Sequence, residues 1–117
     1  MEYQMKNPTL YQVSEQVFYI LLSLSTGPKH GYAILKDVET LSENELVLST
    51  STLYGALIRL EEQGIVRHVP VKGQVAPGLP RKVYELTPHG LVVLQAEVSR
   101  LERMAKLGKR HLVGESN

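Results

Sequence analysis

The chain has 117 residues, a formal net charge of +1 and no cysteine. That length fits one domain, and the missing thiols exclude a disulfide framework, a thiolate metal site and a cysteine nucleophile. The longest apolar run, Val17 to Leu22, is far shorter than the ~20 residues a bilayer crossing needs, and neither a signal-peptide core nor an internal repeat stands out, so a soluble cytoplasmic protein with no membrane partner is expected.

Residues 1–8 read as a loose arm closed by Asn7-Pro8. A helix is predicted from about Thr9 to Leu24, with Val13, Val17, Ile20, Leu21 and Leu24 along one face. Leu10, Tyr11, Phe18 and Leu22 widen its apolar stripe beyond what one small core covers, so the second face is read as a subunit interface. The turn Gly27-Pro28-Lys29-His30-Gly31 leads into a second helix over about Gly31 to Leu41, with Tyr32, Ile34, Leu35 and Val38 available for burial. Leu46-Val47-Leu48 reads as a short strand.

The most informative stretch follows. Ser49, Thr50, Ser51 and Thr52 offer side-chain oxygens to the free N–H groups of a first helical turn, and Leu53, Ala56, Leu57 and Leu60 recur at i, i+3, i+4 and i+7. Gly64 stops this helix at a C′ position. Its other face carries Ser51, Gly55, Ile58 and Glu62, flanked by Tyr54 and Arg59, so small polar residues gather in the half that a recognition helix presents to base edges. Ile65 to Val71 and Arg81 to Leu86 alternate as strands around a glycine- and proline-punctuated loop, which makes a hairpin. Between Gln63 and Tyr84 stand Arg67, Lys72, Arg81 and Lys82 and no acid, a local charge of +4. A near-neutral total therefore leaves room for phosphate contacts. Arg81 and Lys82 are adjacent on a strand and point to opposite faces, so regular geometry aims at most one of them at DNA.

Thr87-Pro88 is a hydroxyl cap before a proline at the first helical position, and the helix it opens is expected to run over residues 88–112, leaving 113–117 as a tail. Leu91, Leu94, Val98, Leu101 and Ala105 step by 3 and 4 along it, the spacing of a dimer seam. Arg103, Lys106, Lys109 and Arg110 near its end suit the negative pole of a helix. No chemistry of catalysis emerges. The four histidines, His30, His68, His89 and His111, lack partners at ligand spacing, and Glu61 and Glu62 diverge by about 100° on one helix, so no metal, cofactor or catalytic site is expected.

Several strings then coincide in order: His30-Gly31-Tyr32; Thr52-Leu53-Tyr54 with Leu57, Arg59, Leu60, Glu61 and Gly64; Pro80-Arg81-Lys82-Val83-Tyr84; and Leu86-Thr87-Pro88-His89-Gly90. Together, over roughly residues 10 to 107, they resemble the PadR family of transcriptional regulators. The resemblance implies a dimeric repressor that leaves operator DNA when a small effector binds, of the short kind with a single C-terminal dimerising helix. It implies that Tyr54 and the residues before it meet the major groove, that Tyr32 lies near a phosphate, and that Arg81 and Lys82 sit on the wing. The chain departs from the family at Gly55, where a polar residue or proline is common, and at Ile58, where a basic residue is common.

The expected architecture is mainly α with a small β-hairpin: a winged helix-turn-helix over residues 9–87 followed by a long dimerisation helix. The expected function is sequence-specific binding of double-stranded DNA at an inverted repeat, by a homodimer responsive to a small molecule. With no tryptophan in the chain and no aromatic ring after residue 87, planar ligands at the dimer interface would find little to stack on. The rival is a winged helix used for protein assembly without DNA, because the fold alone does not decide between them.

Overall fold

The computed structural model describes residues 13–70 and 82–113. The order is α1 (Glu15–Leu24), β1 (Lys29–His30), α2 (Gly31–Leu41), α3 (Thr50–Glu62), β2 (Val66–Val69), β3 (Val83–Leu86) and α4 (Pro88–Val113). This is the mainly α architecture with a small antiparallel sheet that the sequence leads one to expect. Leu10 and Tyr11, the arm at residues 1–8, the loop carrying Lys72 and Arg81, and the last four residues lie outside the described part.

The first helix begins later than its apolar pattern suggests. Val13 and Ser14 are not helical; Ser14 is the N-cap, and its hydroxyl accepts from the Val17 N–H at 3.2 Å, with Glu15 in the first turn facing the positive helix pole. The α2 and α3 boundaries agree with the sequence reading to within a residue or two. Between them the chain turns on Glu43 and Asn44, both in the left-handed region (φ 54° and 67°), and the buried Ser42 hydroxyl accepts from the Leu46 N–H at 2.9 Å. Leu46 to Leu48 is not a strand. The third strand is β1: Lys29 and His30 pair antiparallel with Tyr84 and Val83, giving the order β1-β3-β2. A two-residue strand has no alternation to read, whereas Leu46 and Leu48 alternate only because their side chains are tucked towards the core ahead of α3.

One core lies where these elements meet. Ile20 and Leu21 from α1, Ile34 and Val38 from α2, Leu53, Leu57 and Leu60 from α3, Ile65 and Val66 at the start of β2, Tyr84 from β3, and Val93 and Leu94 from α4 are all buried in a single cluster. Three polar knots fix how the elements meet around it. In the first, the Lys29 ammonium uses its three protons on the Asp37 carboxylate (2.6 Å), the Ser23 carbonyl (2.6 Å) and the Thr26 hydroxyl (2.9 Å), while the Ser23 hydroxyl donates to the same Asp37 oxygen at 2.7 Å. That ties the end of α1 and the start of β1 to α2.

In the second, the Thr87 hydroxyl donates to the Gly64 carbonyl at 2.6 Å and accepts from the Gly90 N–H at 2.9 Å, and the Thr87 N–H donates to the Ile65 carbonyl at 3.1 Å. Gly90 faces that same carbonyl so closely that a Cβ would overlap it. Gly64 itself turns with φ 73°, the left-handed conformation that glycine adopts without strain. The third joins α3 to β2: Glu61 accepts from the His68 N–H at 3.2 Å and contacts the His68 ring through Nδ1.

Lys29 holds the Asp37 carboxyl below its ordinary value of 3.8, chiefly by the hydrogen bond, against an opposing effect of burial. A depressed carboxyl stabilises the fold above its unfolded pKa, and the contribution is lost as pH falls through the lower, folded value. Asp37→Asn is therefore expected to cost about 1 kcal/mol at neutral pH, the scale of a partly solvated charge-assisted hydrogen bond. It should also make the decline of stability between about pH 5 and 2 shallower than in the unaltered protein, measured by urea unfolding across that range.

Candidate nucleic-acid interface

The outer surface of α3 and the base of the hairpin form the site. Ser49 caps α3: its hydroxyl accepts from the Thr52 N–H at 3.0 Å and donates to the Thr52 hydroxyl at 2.9 Å, with the Ser51 hydroxyl 3.3 Å away. Three of the four hydroxyls are thus engaged with one another or with the helix, and among the described residues the Thr50 hydroxyl makes no hydrogen bond, at an N-terminus where all four residues are exposed. Past this cap the outer face runs through the half-buried Gly55 and the exposed Ile58 and Arg59 to Glu62. The N-terminal half is uncharged and small; charge begins only at the third turn. The i,i+3 spacing of Arg59 and Glu62 offers a salt bridge, but Arg59 joins no ion pair among the described residues, and its guanidinium lies beside Gly55.

Tyr54 serves two purposes. Its ring lies 6.4 Å from the Tyr84 ring and its phenol oxygen rests over Gly31, where a Cβ would overlap it, yet the residue stays 38% exposed. Gly31 is therefore glycine because of Tyr54, and the contact sets the first turn of α2 beside the first turns of α3. Tyr32, next along α2, is 69% exposed, with the Lys36 ammonium 5.7 Å from its ring centroid. Tyr84 is sealed beneath this group; burial, with Tyr54 and Glu61 close by, pushes its phenol above the usual range and keeps it neutral. The Tyr84 ring also meets His68 edge-on at 6.3 Å.

The hairpin is less positive than its own sequence window suggests. Arg67 sits directly across from Glu85 in the β2–β3 register and donates to it at 2.7 Å, so one of the four charges is matched by an acid just beyond the window. Lys82 is exposed immediately before β3, not on a regular strand; Lys72 and Arg81 lie outside the described residues. Sequence reasoning named Glu61, Gly31 and Gly90 within the family strings but not the contacts they make. Those contacts join residues seven to twenty-five apart, which no local period carries.

The expected dimer residues fall into two groups. Leu94 is 4% exposed and belongs to the chain's own core, so its place in the seam is corrected: before Glu97 the 3-4 spacing is divided between the surface at Leu91 and this protomer's core at Leu94, and past Glu97 it faces outward. Leu91, Val98, Leu101 and Ala105 are exposed, as are Val92, Met104 and Leu107, which were not singled out. Phe18 and Leu22 on α1 are half-buried against the core. Glu97, buried where α4 leaves the body, is paired with Arg100 at 2.6 Å, which holds its carboxyl below the ordinary range. Among the described residues no three His, Asp or Glu side chains converge as a metal site would need.

Comparison with known proteins adds the following. The profile of the transcriptional regulator PadR-like family matches residues 20–96. A 37.1 kDa uncharacterised protein in transposon TN4556 of Streptomyces fradiae is 37% identical over 86 residues, which is 74% of this chain; the chain spans only 23% of that relative's length. A PadR family transcriptional regulator from Eggerthella lenta shares 30% identity, with 84% of this chain and 82% of that one covered at a TM-score of 0.62. Bacillus subtilis PadR, solved in complex with operator DNA, shares the fold at 24% identity and a TM-score of 0.59, over 69% of this chain and 45% of its own.

Because the Tyr54 ring bridges Gly31 and Tyr84, Tyr54→Ala should lower stability by about 1–3 kcal/mol, the cost of removing a half-buried ring. Tyr54→Phe, which keeps the ring, should unfold within about 0.5 kcal/mol of the unaltered protein in urea. Any loss of binding in the phenylalanine variant then belongs to the hydroxyl.

Proposed function

Given that the chain belongs to the PadR-like family of transcriptional regulators, we propose that it is a homodimeric repressor. It binds an inverted-repeat operator through α3 and the β2–β3 hairpin and leaves it when a small-molecule effector binds. The observation that carries DNA as the partner is the surface of α3. A capped N-terminal half with exposed hydroxyl residues, no acid before Glu61, and Tyr32 and Tyr54 alongside it is what a helix entering a major groove presents. Bacillus subtilis PadR, bound to operator DNA, supports the same partner for this fold. In this reading Ser49, Thr50, Ser51, Thr52, Tyr54, Gly55 and Arg59 lie at the groove, and Tyr32, Lys72 and Lys82 reach phosphates on either side, with Arg81 beside Lys82 on the wing.

What supports the homodimer is the outer half of α4. From Leu101 to Val113 every residue is exposed, and Leu91, Val98, Leu101, Met104 and Leu107 present apolar area that a second copy would remove from water. Two-fold symmetry then calls for an inverted repeat with half-site centres one helical turn, about 10 bp, apart or a multiple of it. No helix among the described residues is long and apolar enough to cross a membrane. An effector would enter between α4 and its partners, where aliphatic side chains offer area without ring stacking.

Selection of bound fragments from random duplex DNA, followed by titration at several salt concentrations, tests the function. An inverted repeat should emerge, and binding should weaken steeply with salt. Lys82→Ala should weaken all sequences alike and flatten the salt slope by ~2 per dimer. Salt-independent retention, or the absence of any enriched motif, would count against DNA as the partner.

Leu101→Glu with Leu107→Glu should sediment as a folded monomer, because both side chains lie outside the chain's own core. Unaltered protein sedimenting as a monomer at micromolar concentration would remove the dimer.

A further inference from the structure

Four glycines lie in the described helices and differ in why they lack a side chain; Gly108, on the exposed end of α4, would meet nothing within 4 Å of a Cβ. At Gly31 and Gly90 the chain itself forbids a Cβ, through the Tyr54 phenol and the Ile65 carbonyl. At Gly55 it does not: a Cβ there would have the Arg59 guanidinium at 3.7 Å as its nearest neighbour, an ordinary contact with the movable end of a side chain. Gly55 has no positive φ either and sits in the interior of α3. Glycine in a helix interior destabilises it relative to alanine, so the fold gains nothing from this residue.

One turn on, Ile58 is 56% exposed on the same face, a branched aliphatic side chain left largely in water. The two are i and i+3, hence neighbours on the helix surface. Glu62, one turn further along that face, marks where close approach to a phosphate-lined groove becomes unfavourable.

We infer that Gly55 and Ile58 form a paired reading element: the bare Cα of Gly55 lets α3 approach the floor of the major groove, and that approach seats the Ile58 side chain on the C5-methyl of a thymine in each operator half-site. The inference rests on the operator-binding reading above and names the base it selects. Thymine is the one base of unmodified DNA that presents a methyl group in the major groove, and an aliphatic side chain discriminates for it by removing apolar area from water. A hydroxyl or a base in place of Ile58 would read a different edge. The exposed residues Thr50 and Ser51, nearer the N-terminus, remain for polar contacts in the same groove.

The test is a scan of the selected operator in which each thymine is replaced in turn by deoxyuridine, which deletes the methyl and leaves every hydrogen-bonding group in place. At one thymine per half-site the replacement should weaken the unaltered protein about 3- to 10-fold. Ile58→Ala should bind the thymine operator more weakly by a similar factor and be indifferent to deoxyuridine at that position. Gly55→Ala should melt a few degrees higher, as a helix-interior alanine does, while binding the operator about tenfold more weakly. A flat deoxyuridine scan in the unaltered protein, or full operator affinity in Gly55→Ala, overturns the inference while leaving DNA binding intact. Failure of the operator selection itself would instead overturn the reading on which it rests.

Discussion

The arrangement of this protein depends on the close approach of Gly90 to the Ile65 carbonyl. Ile65 follows the glycine that ends α3, and Gly90 lies in the first turn of α4, so the contact joins the helix proposed to read DNA to the helix proposed to pair subunits. Thr87 locks the joint from three sides, taking the Gly64 and Ile65 carbonyls and capping the Gly90 N–H. With so little separation between backbones there is no slack for α4 to swing. The angle between the two helices is set by main-chain atoms and not by interchangeable side chains, and in a two-fold dimer that angle determines how far apart two copies of α3 are held.

The remaining knots serve the same end from other sides. Lys29, Asp37 and Ser23 fix α2 against α1; Tyr54 over Gly31 fixes α3 against α2; Glu61 on His68 fixes the hairpin against α3. Each joins α3, or the helix it leans on, to a different neighbour, and each involves a side chain that stays partly in contact with solvent. Such contacts contribute little individually to stability. Their effect is to leave the reading helix one orientation, and a groove-binding surface requires positional accuracy more than extra free energy of folding.

Much of this was legible in the sequence, and the reasons divide cleanly. Where a boundary is punctuated by residues with one conformational use, the reading held: Ser49 and Gly64 around α3, and Thr87-Pro88 ahead of α4. Where the signal is apolar periodicity alone, it went astray. Leu10 and Tyr11 pulled the start of α1 ahead of its true cap at Ser14, and the 3-4 spacing through Leu94 could not tell this chain's core from a partner's, because both want the same side chains at the same intervals. The β1 strand was out of reach, since two residues make no pattern and Lys29 is positioned by Asp37 and Ser23. The charge of the hairpin was overcounted because Glu85, cross-strand from Arg67, stands just past the acid-free run. Glu61 and His68 looked like unrelated surface residues for the same reason: they meet through the turn at Gly64.

The face of α4 that holds Val93 and Leu94 in the core continues, past Glu97, as the exposed apolar stripe of Val98, Leu101 and Met104. One helix face is used twice in succession, first inside the chain and then beyond it. The core cluster therefore closes within a single protomer before the stripe begins. Association of two such chains would be an encounter between bodies already folded, not a coupled folding event, so dimers could dissociate and re-form without either protomer unfolding. A cell holding two related chains of this design could then exchange subunits freely, and a mixed dimer would carry one reading helix of each kind to an asymmetric operator.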